Sequence, residues 1–161
     1  MIKLNLGSGG RPLSGYTSVD LYGPCDVRVD LSVFPWPWEA GSVDAVVTWD
    51  FLEHVVEFRK TWAEIHRILK PGGELWARVP NCRCPQNAWP EVHLHNFSIY
   101  TFKALTENMW FIEQPRFKTT MLRHWYGPKM RFLMLFANIH PLAWDWLGLP
   151  VSSVEWRGVK Q

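Results

Sequence analysis

Ile2-Lys3-Leu4-Asn5-Leu6-Gly7-Ser8-Gly9-Gly10, followed by Tyr16-Thr17-Ser18-Val19-Asp20-Leu21, is the stretch whose reading decides the fold. The apolar run Ile2–Leu6 ends directly on a glycine-rich turn. A second short run, Tyr16–Leu21, ends near Asp20. Glycine allows tight reversal of the chain and close approach of a ligand to the backbone. Asp26–Leu31 reads as a third strand that closes on Asp30, and Val43–Thr48 as a fourth, apolar enough to be buried on both faces of a sheet. Phe58–Leu69 then carries Trp62, Ile65 and Leu69 at helical spacing, with charges between them. Lys70-Pro71-Gly72-Gly73 stops that helix, because proline cannot continue the ladder and glycine supplies the reversal. Glu74–Val79 is a fifth strand.

Further along, Ser98–Asn108 reads as a helix with Ser98 as its cap. Trp110–Phe117 reads as a strand interrupted by Pro115, Lys129–Ile139 as a helix, and Val151–Lys160 as a terminal strand. Short strands interleaved with helices and turns predict an α/β fold of Rossmann-like type with a mostly parallel sheet. The 161 residues suit a single domain spanning 1–161, with no internal repeat or linker.

Composition narrows the function classes. Hydrophobic residues make up 47% of the chain, enough for a buried core. A formal net charge of +2 does not match the strongly basic face of a protein that lives on a phosphate backbone, so nucleic acid is not indicated. The three cysteines, Cys25, Cys82 and Cys84, fit a reducing cytoplasm rather than a disulfide framework. No signal-peptide pattern opens the chain, and its longest apolar run, near Phe132–Ala137, is too short to span a bilayer. The 11 tryptophans and 9 phenylalanines read chiefly as core, with an apolar acceptor pocket as the sharper alternative.

The chemistry lies at the strand ends. Asp20, closing the second strand, can accept both hydroxyls of a ribose. Asp30 can accept from an adenine amino group, while the backbone N–H of Leu31 donates to the ring. Ends of successive parallel strands form the crevice where open α/β folds bind ligands. A dinucleotide dehydrogenase places its acidic residue about 20 residues beyond the glycines. Here Asp20 comes sooner, and Arg11-Pro12-Leu13-Ser14-Gly15-Tyr16 leaves no room for a full first helix. A cofactor with a ribose but no phosphates fits better, provided the first two strands run parallel.

At these residues the chain resembles the compact class I S-adenosylmethionine-dependent methyltransferases with a shortened first helix. Leu4–Pro12 and Gly15–Leu21 carry the resemblance. Val43-Asp44-Ala45-Val46-Val47, Leu52-Glu53-His54-Val55 and Ile68–Leu75 look like that family's middle motifs. The resemblance implies S-adenosylmethionine as cofactor and S-adenosylhomocysteine as product. It implies that Leu6, Gly7, Ser8 and Gly9 line the methionine and sugar, that Asp20 and Leu21 lie at the ribose, and that Asp30 and Leu31 hold the adenine. Trp49 and Asp50 would stand beside the methionine and the transferring methyl, with Asp50 among the catalytic residues. Arg11 reads either as a partner of the methionine carboxylate or as a solvated loop cation. Asp44, at the far end of its strand, reads as structural.

His54 reads as a residue that orders the turn after Glu53. His93, in Glu91-Val92-His93-Leu94-His95-Asn96-Phe97-Ser98, matches a position where the family often carries a histidine, and is the candidate base toward an acceptor hydroxyl. Cys82, Cys84, His93 and His95 form a Cys-x-Cys and His-x-His set that zinc could use, but its spacing is not a familiar one, and the expectation is no metal. Trp49-Asp50-Phe51 replaces the Asp-Pro-Pro-Tyr-like motif of amino-methylating DNA enzymes. The leading expectation is methyl transfer to oxygen or nitrogen of a small-molecule or glycan acceptor. The alternatives are a non-catalytic S-adenosylmethionine-binding module acting with a partner protein, and a nucleotide-binding oxidoreductase. The oligomeric state is not encoded legibly.

Overall fold

The computed structural model describes residues 1–84, 91–107, 115–126, 132–147 and 151–161. Seven strands form one sheet: β1 (Lys3–Leu6), β2 (Thr17–Asp20), β3 (Val27–Arg28), β4 (Val43–Trp49), β5 (Leu69–Pro80), β6 (Phe117–Trp125) and β7 (Ser153–Lys160). Their order is β3-β2-β1-β4-β5-β7-β6. The first five run parallel, and β7 lies antiparallel between β5 and β6. The α/β, mostly parallel sheet expected from the sequence is therefore present, and β1 and β2 are parallel neighbours rather than a hairpin. Four helices complete the described chain: α1 (Phe58–Ile68), α2 (Ile99–Thr106), α3 (Leu133–Ala137) and α4 (Pro141–Trp146).

Register assigns the side chains to two faces, because partners across a ladder share a face and successive residues alternate. One face carries Leu4, Leu6, Val46, Leu75, Ala77, Val79, Val154 and Trp156, all buried. Helix α1 turns Trp62, Ile65 and Ile68 onto it, each at 0% exposure, and α2 adds Ile99 and Phe102. Trp156 is the centre: its ring stacks on Phe102 at 5.5 Å and meets Trp62 at 5.4 Å and Phe117 at 5.7 Å. Burial of large aromatics is worth about 1.5–3 kcal/mol each, so this cluster contributes strongly to stability.

The opposite face carries Asn5, Val47, Trp76, Arg157, and in the next row Trp49, Arg78, Glu155 and Arg123. These residues close over one another. The Arg157 guanidinium lies 3.8 Å from the centre of the Trp76 ring. The Trp76 indole N–H donates to Glu155 at 2.7 Å, and Glu155 also pairs with Arg123 at 2.7 Å. Arg78 stands between Trp49 and Trp125, 5.0 and 4.6 Å from their centres. Planar guanidinium groups stack on indoles and still reach water at their rim.

Connections differ from their sequence reading in four places. Helix α1 passes at Leu69 straight into β5, and Lys70–Gly73 bulges between the pairs Val43–Leu69 and Ala45–Glu74. Lys160 of β7 reaches the end of that helix and donates to the carbonyls of His66 and Leu69, both at 2.7 Å, at the terminus where cations are favoured. β3 is only two residues long. β6 begins at Phe117, where the expected strand Trp110–Phe117 ends; Pro115 has no N–H for a ladder, so pairing starts beyond it. Residues 110–114 of that reading, 108 of the expected helix Ser98–Asn108, and 129–131 of the expected helix Lys129–Ile139, lie outside the described residues. α4 was not anticipated; it opens on a proline, which the first helical turn accepts.

No helix links β3 to β4, yet residues 29–42 are firmly held to α1. The Glu64 carboxylate accepts from the Trp36 backbone N–H at 2.6 Å, and Arg67, paired with Glu64 at 2.6 Å, donates to the carbonyls of Trp36 and Trp38. Trp36 is 2% exposed, and its indole donates to Leu31 at 3.1 Å. The Arg67 partner holds the Glu64 carboxyl below its usual range. Glu64→Ala should therefore lower unfolding stability by about 2–4 kcal/mol, since it strands a buried N–H and a paired guanidinium. Glu64→Gln, which keeps an acceptor for Trp36, should cost less; denaturant unfolding of both variants measures the difference.

Candidate functional site

A cavity of about 620 Å³ opens at the carboxyl ends of β1 to β4. Its size is that of a small-molecule site. The turn after β1 contributes Gly7 and Gly9; Asp20, Leu21 and Tyr22 follow β2; Val29 to Ser32 and Phe34 form one wall. Asp50, Phe51 and His54 follow β4, and Val55 to Glu57 with Thr61 lead into α1.

Each wall has a local cause. Gly7 has φ +63°, and a Cβ there would stand 2.3 Å from the Phe51 ring. Glycine is required on both counts, so the turn and Phe51 pack without a gap. Asp20 is held by the backbone: its Oδ2 accepts from Gly9 N–H at 2.7 Å and its Oδ1 from Tyr22 N–H at 3.0 Å. Each oxygen keeps a lone pair for a ligand hydroxyl. Asp30 accepts from both the N–H and the hydroxyl of Ser32, at 2.9 and 2.6 Å, and these bonds hold its carboxyl below the usual range. Leu31 is buried at 6% exposure beside it.

Asp50 has φ +54°, the left-handed region that aspartate tolerates better than most residues. Arg78 explains why it stays there. The guanidinium donates to Asp50 Oδ2 at 2.6 Å, and the Asp50 N–H donates to the Arg78 carbonyl at 2.8 Å. Arg11, largely exposed, approaches the same carboxylate at 3.8 Å.

Behind this wall lies a second group. Glu53 is 1% exposed, and neither carboxylate oxygen takes a hydrogen bond from a neighbouring residue. Burial, reinforced by the charge of Asp50, pushes its pKa up to about 8. His54 donates from Nδ1 to the Val92 carbonyl at 2.6 Å, an assignment that follows because a carbonyl only accepts. Its Nε2 is 3.8 Å from Glu53 Oε1. The His93 ring meets the His54 ring edge-on at 4.9 Å. Desolvation first, then the charge of His54, lowers the His93 pKa, which favours the neutral imidazole.

Of the residues expected from the sequence, Gly7, Gly9, Asp20, Leu21, Asp30, Leu31 and Asp50 line the cavity. Leu6 is buried in the core beneath it, and Ser8 is 5% exposed with its N–H bonded to the Val19 carbonyl. The Trp49 side chain lies on the opposite face of the sheet, against Trp76. His93 sits behind His54 rather than on the wall. Cys82, Cys84, His93 and His95 do not converge: Cys82 is exposed, Cys84 is buried, and His95 Nε2 pairs with the Val55 carbonyl at 2.7 Å. Arg78 and Phe51 escaped the sequence reading, because each acts through a partner distant in sequence. Among the described residues, no helix is long and apolar enough to cross a membrane.

Residues 23–77 match the family model described as a methyltransferase domain. No curated protein sequence matches the chain. Among solved structures, a putative methyltransferase from Bacillus halodurans superposes with a TM-score of 0.63 at 14% identity, covering 98% of this chain and 91% of its own. An S-adenosylmethionine-dependent methyltransferase from Mesorhizobium loti gives 0.60 at 14% identity, covering 99% and 90%. The [4+2]-cyclase SpnF gives 0.61 at 15% identity, covering 98% and 73%. At these identities the likeness is one of fold, and the fold is that of the class I methyltransferases.

Two outcomes check the site. Asp50→Gly should leave the chain more stable than Asp50→Ala by about 1–2 kcal/mol, since both lose the Arg78 pair but only alanine suffers in the left-handed region. Equal thermal stabilities would remove the backbone argument. In the chain alone, the folded state keeps the Glu53 proton that the unfolded state releases above its ordinary pKa of 4.5. Stability from this group is thus complete below about pH 4.5 and lost as pH rises toward 8, and Glu53→Gln should flatten that decline in denaturant unfolding.

Proposed function

We propose that this chain, a methyltransferase-fold domain, binds S-adenosylmethionine in the cavity and transfers its methyl group to an oxygen or nitrogen of a small-molecule or glycan acceptor. One observation carries the reading. Three successive strand ends bring Gly7 and Gly9, Asp20, and Asp30 with Leu31 to a single cavity, and no helix begins at the glycine turn. A pyrophosphate would want a helix N-terminus there. A ribose and an adenine want the two carboxylates instead.

In this reading Asp20 accepts from the ribose hydroxyls while Gly9 and Tyr22 hold its orientation. Asp30 accepts from the adenine amino group, and Leu31, Val29 and Phe34 flank the ring. When bound, the cofactor supplies an electrophilic methyl on a sulfonium. Transfer from it disperses positive charge, so the chain's task is positioning and the exclusion of water. Asp50 and Phe51 stand at the methyl end of the cavity. His54 faces it directly, and His93, neutral and in contact with His54, is placed to take a proton from the acceptor through that pair. A chain with three cysteines suits a reducing compartment.

A second reading has its own support, since a cyclase shares this fold: cofactor binding without methyl transfer. Production of S-adenosylhomocysteine during incubation with an acceptor panel favours the first reading, and binding without product favours the second. Asp20→Ala should weaken S-adenosylhomocysteine binding at least tenfold in calorimetry, since charge-assisted hydrogen bonds are worth about 1.5–3 kcal/mol each. Unchanged affinity in a variant with native circular dichroism would remove Asp20 from the site.

A further inference from the structure

We propose that Glu53, His54 and His93 form a binding site for a divalent transition-metal ion at the acceptor edge of the cavity. One ligand atom from each lies within 4.8 Å of the other two. Tetrahedral ligands 2.0–2.2 Å from one ion stand about 3.4 Å apart, and the 3.8 Å between His54 Nε2 and Glu53 Oε1 is already close to that. Small rotations of the side chains complete the approach.

The independent observation is Glu53. A carboxyl at 1% exposure whose oxygens take no hydrogen bond from a neighbour is a costly arrangement, and buried polar groups are otherwise nearly always partnered. It points at two imidazoles. A cation between them supplies the missing partner.

The imidazoles are prepared for the role. The hydrogen bond from His54 Nδ1 to the Val92 carbonyl directs the Nε2 lone pair inward, as metal-bound histidines are commonly oriented. Three further contacts lock the two segments that carry the ligands. The N–H groups of Leu94 and His95 donate to the Glu53 carbonyl at 2.8 and 3.3 Å, and His95 Nε2 pairs with the Val55 carbonyl. Two nitrogens and one carboxylate suit zinc, manganese or iron better than calcium or magnesium. Glu53 is buried while His54 is exposed and lines the cavity, so the ion keeps an open side toward it, as in catalytic rather than structural sites. There it would hold an acceptor hydroxyl and make it easier to deprotonate, taking the place of the imidazole base because the His54 and His93 lone pairs are then on the ion, a role that rests on the methyl-transfer reading. Only His93 is shared with the Cys82, Cys84, His93 and His95 set considered from the sequence, and the site replaces the expectation of a metal-free protein.

The test is calorimetry on the full chain after chelator treatment, with zinc chloride and manganese chloride titrated alone. One ion should bind per chain. Glu53→Gln and His93→Ala should each weaken binding at least tenfold, since even changes to the residues behind metal ligands cost 10–100-fold. Cys82→Ser should bind as the parent does. No binding, or binding unchanged in both Glu53→Gln and His93→Ala with native circular dichroism, overturns the site. S-adenosylhomocysteine is titrated into the same metal-free sample. If it binds where neither ion does, the cation site falls and the cofactor reading stands; if an ion binds and it does not, the cation site stands and the cofactor reading falls.

Discussion

The ten residues 7–16 are all that join β1 to β2, and the six residues 21–26 all that join β2 to β3, yet both pairs run parallel. A parallel crossover ordinarily needs a dozen residues or more and usually spends them on a helix. This economy shapes the rest of the molecule. Helices α1 and α2 cover one face of the sheet, and the large aromatics collect beneath them around Trp156. The other face closes with its own side chains, indole against guanidinium, with Glu155 joining Trp76 to Arg123.

The same shortness sets the character of the cavity. Without a helix after Gly9, the turn offers a ligand backbone and carboxylates rather than the positive end of a helix dipole. Rigidity then has to come from pairwise contacts. Gly7 lies against Phe51, Asp20 is fixed by two backbone N–H groups, and Asp50 is held in an unfavoured conformation by Arg78. The longer link between β3 and β4 forms a wall only because Glu64 and Arg67 pin it to α1.

What the sequence showed follows the range of the interactions. The first two strands, the glycine turn with Asp20 after it, and helix α1 are local patterns of period and punctuation, and the structure has them within a residue or two of the sequence reading, whereas β3 stops at Arg28, two residues short of Asp30. Arg78 was invisible because it meets Asp50 across 28 residues of chain, and nothing in either local stretch announces the other. Phe34 sits in a segment with no helical or strand period, so its place on the cavity wall is purely tertiary. Trp49 and Asp50 are adjacent in sequence, but alternation along a strand sends neighbouring side chains to opposite faces, so the Trp49 ring lies against Trp76 while Asp50 lines the cavity. The sequence offers His93 as a base and groups it with nearby cysteines, but nothing in it announces the neighbours His54 and Glu53 that the fold brings to it.

The Arg78 side chain has a further consequence, for how such a protein can change over generations. It touches the carboxylate of Asp50 on one side and, on the face of the sheet opposite α1 and α2, the rings of Trp49 and Trp125 on the other. That face does not line the cavity, and would on that ground be freer to drift. Here a replacement of Trp125 or Trp49 loosens Arg78, and a loosened Arg78 releases Asp50. Any selection acting on the cavity is thereby felt on the far side of the sheet, by tryptophans that do not line it.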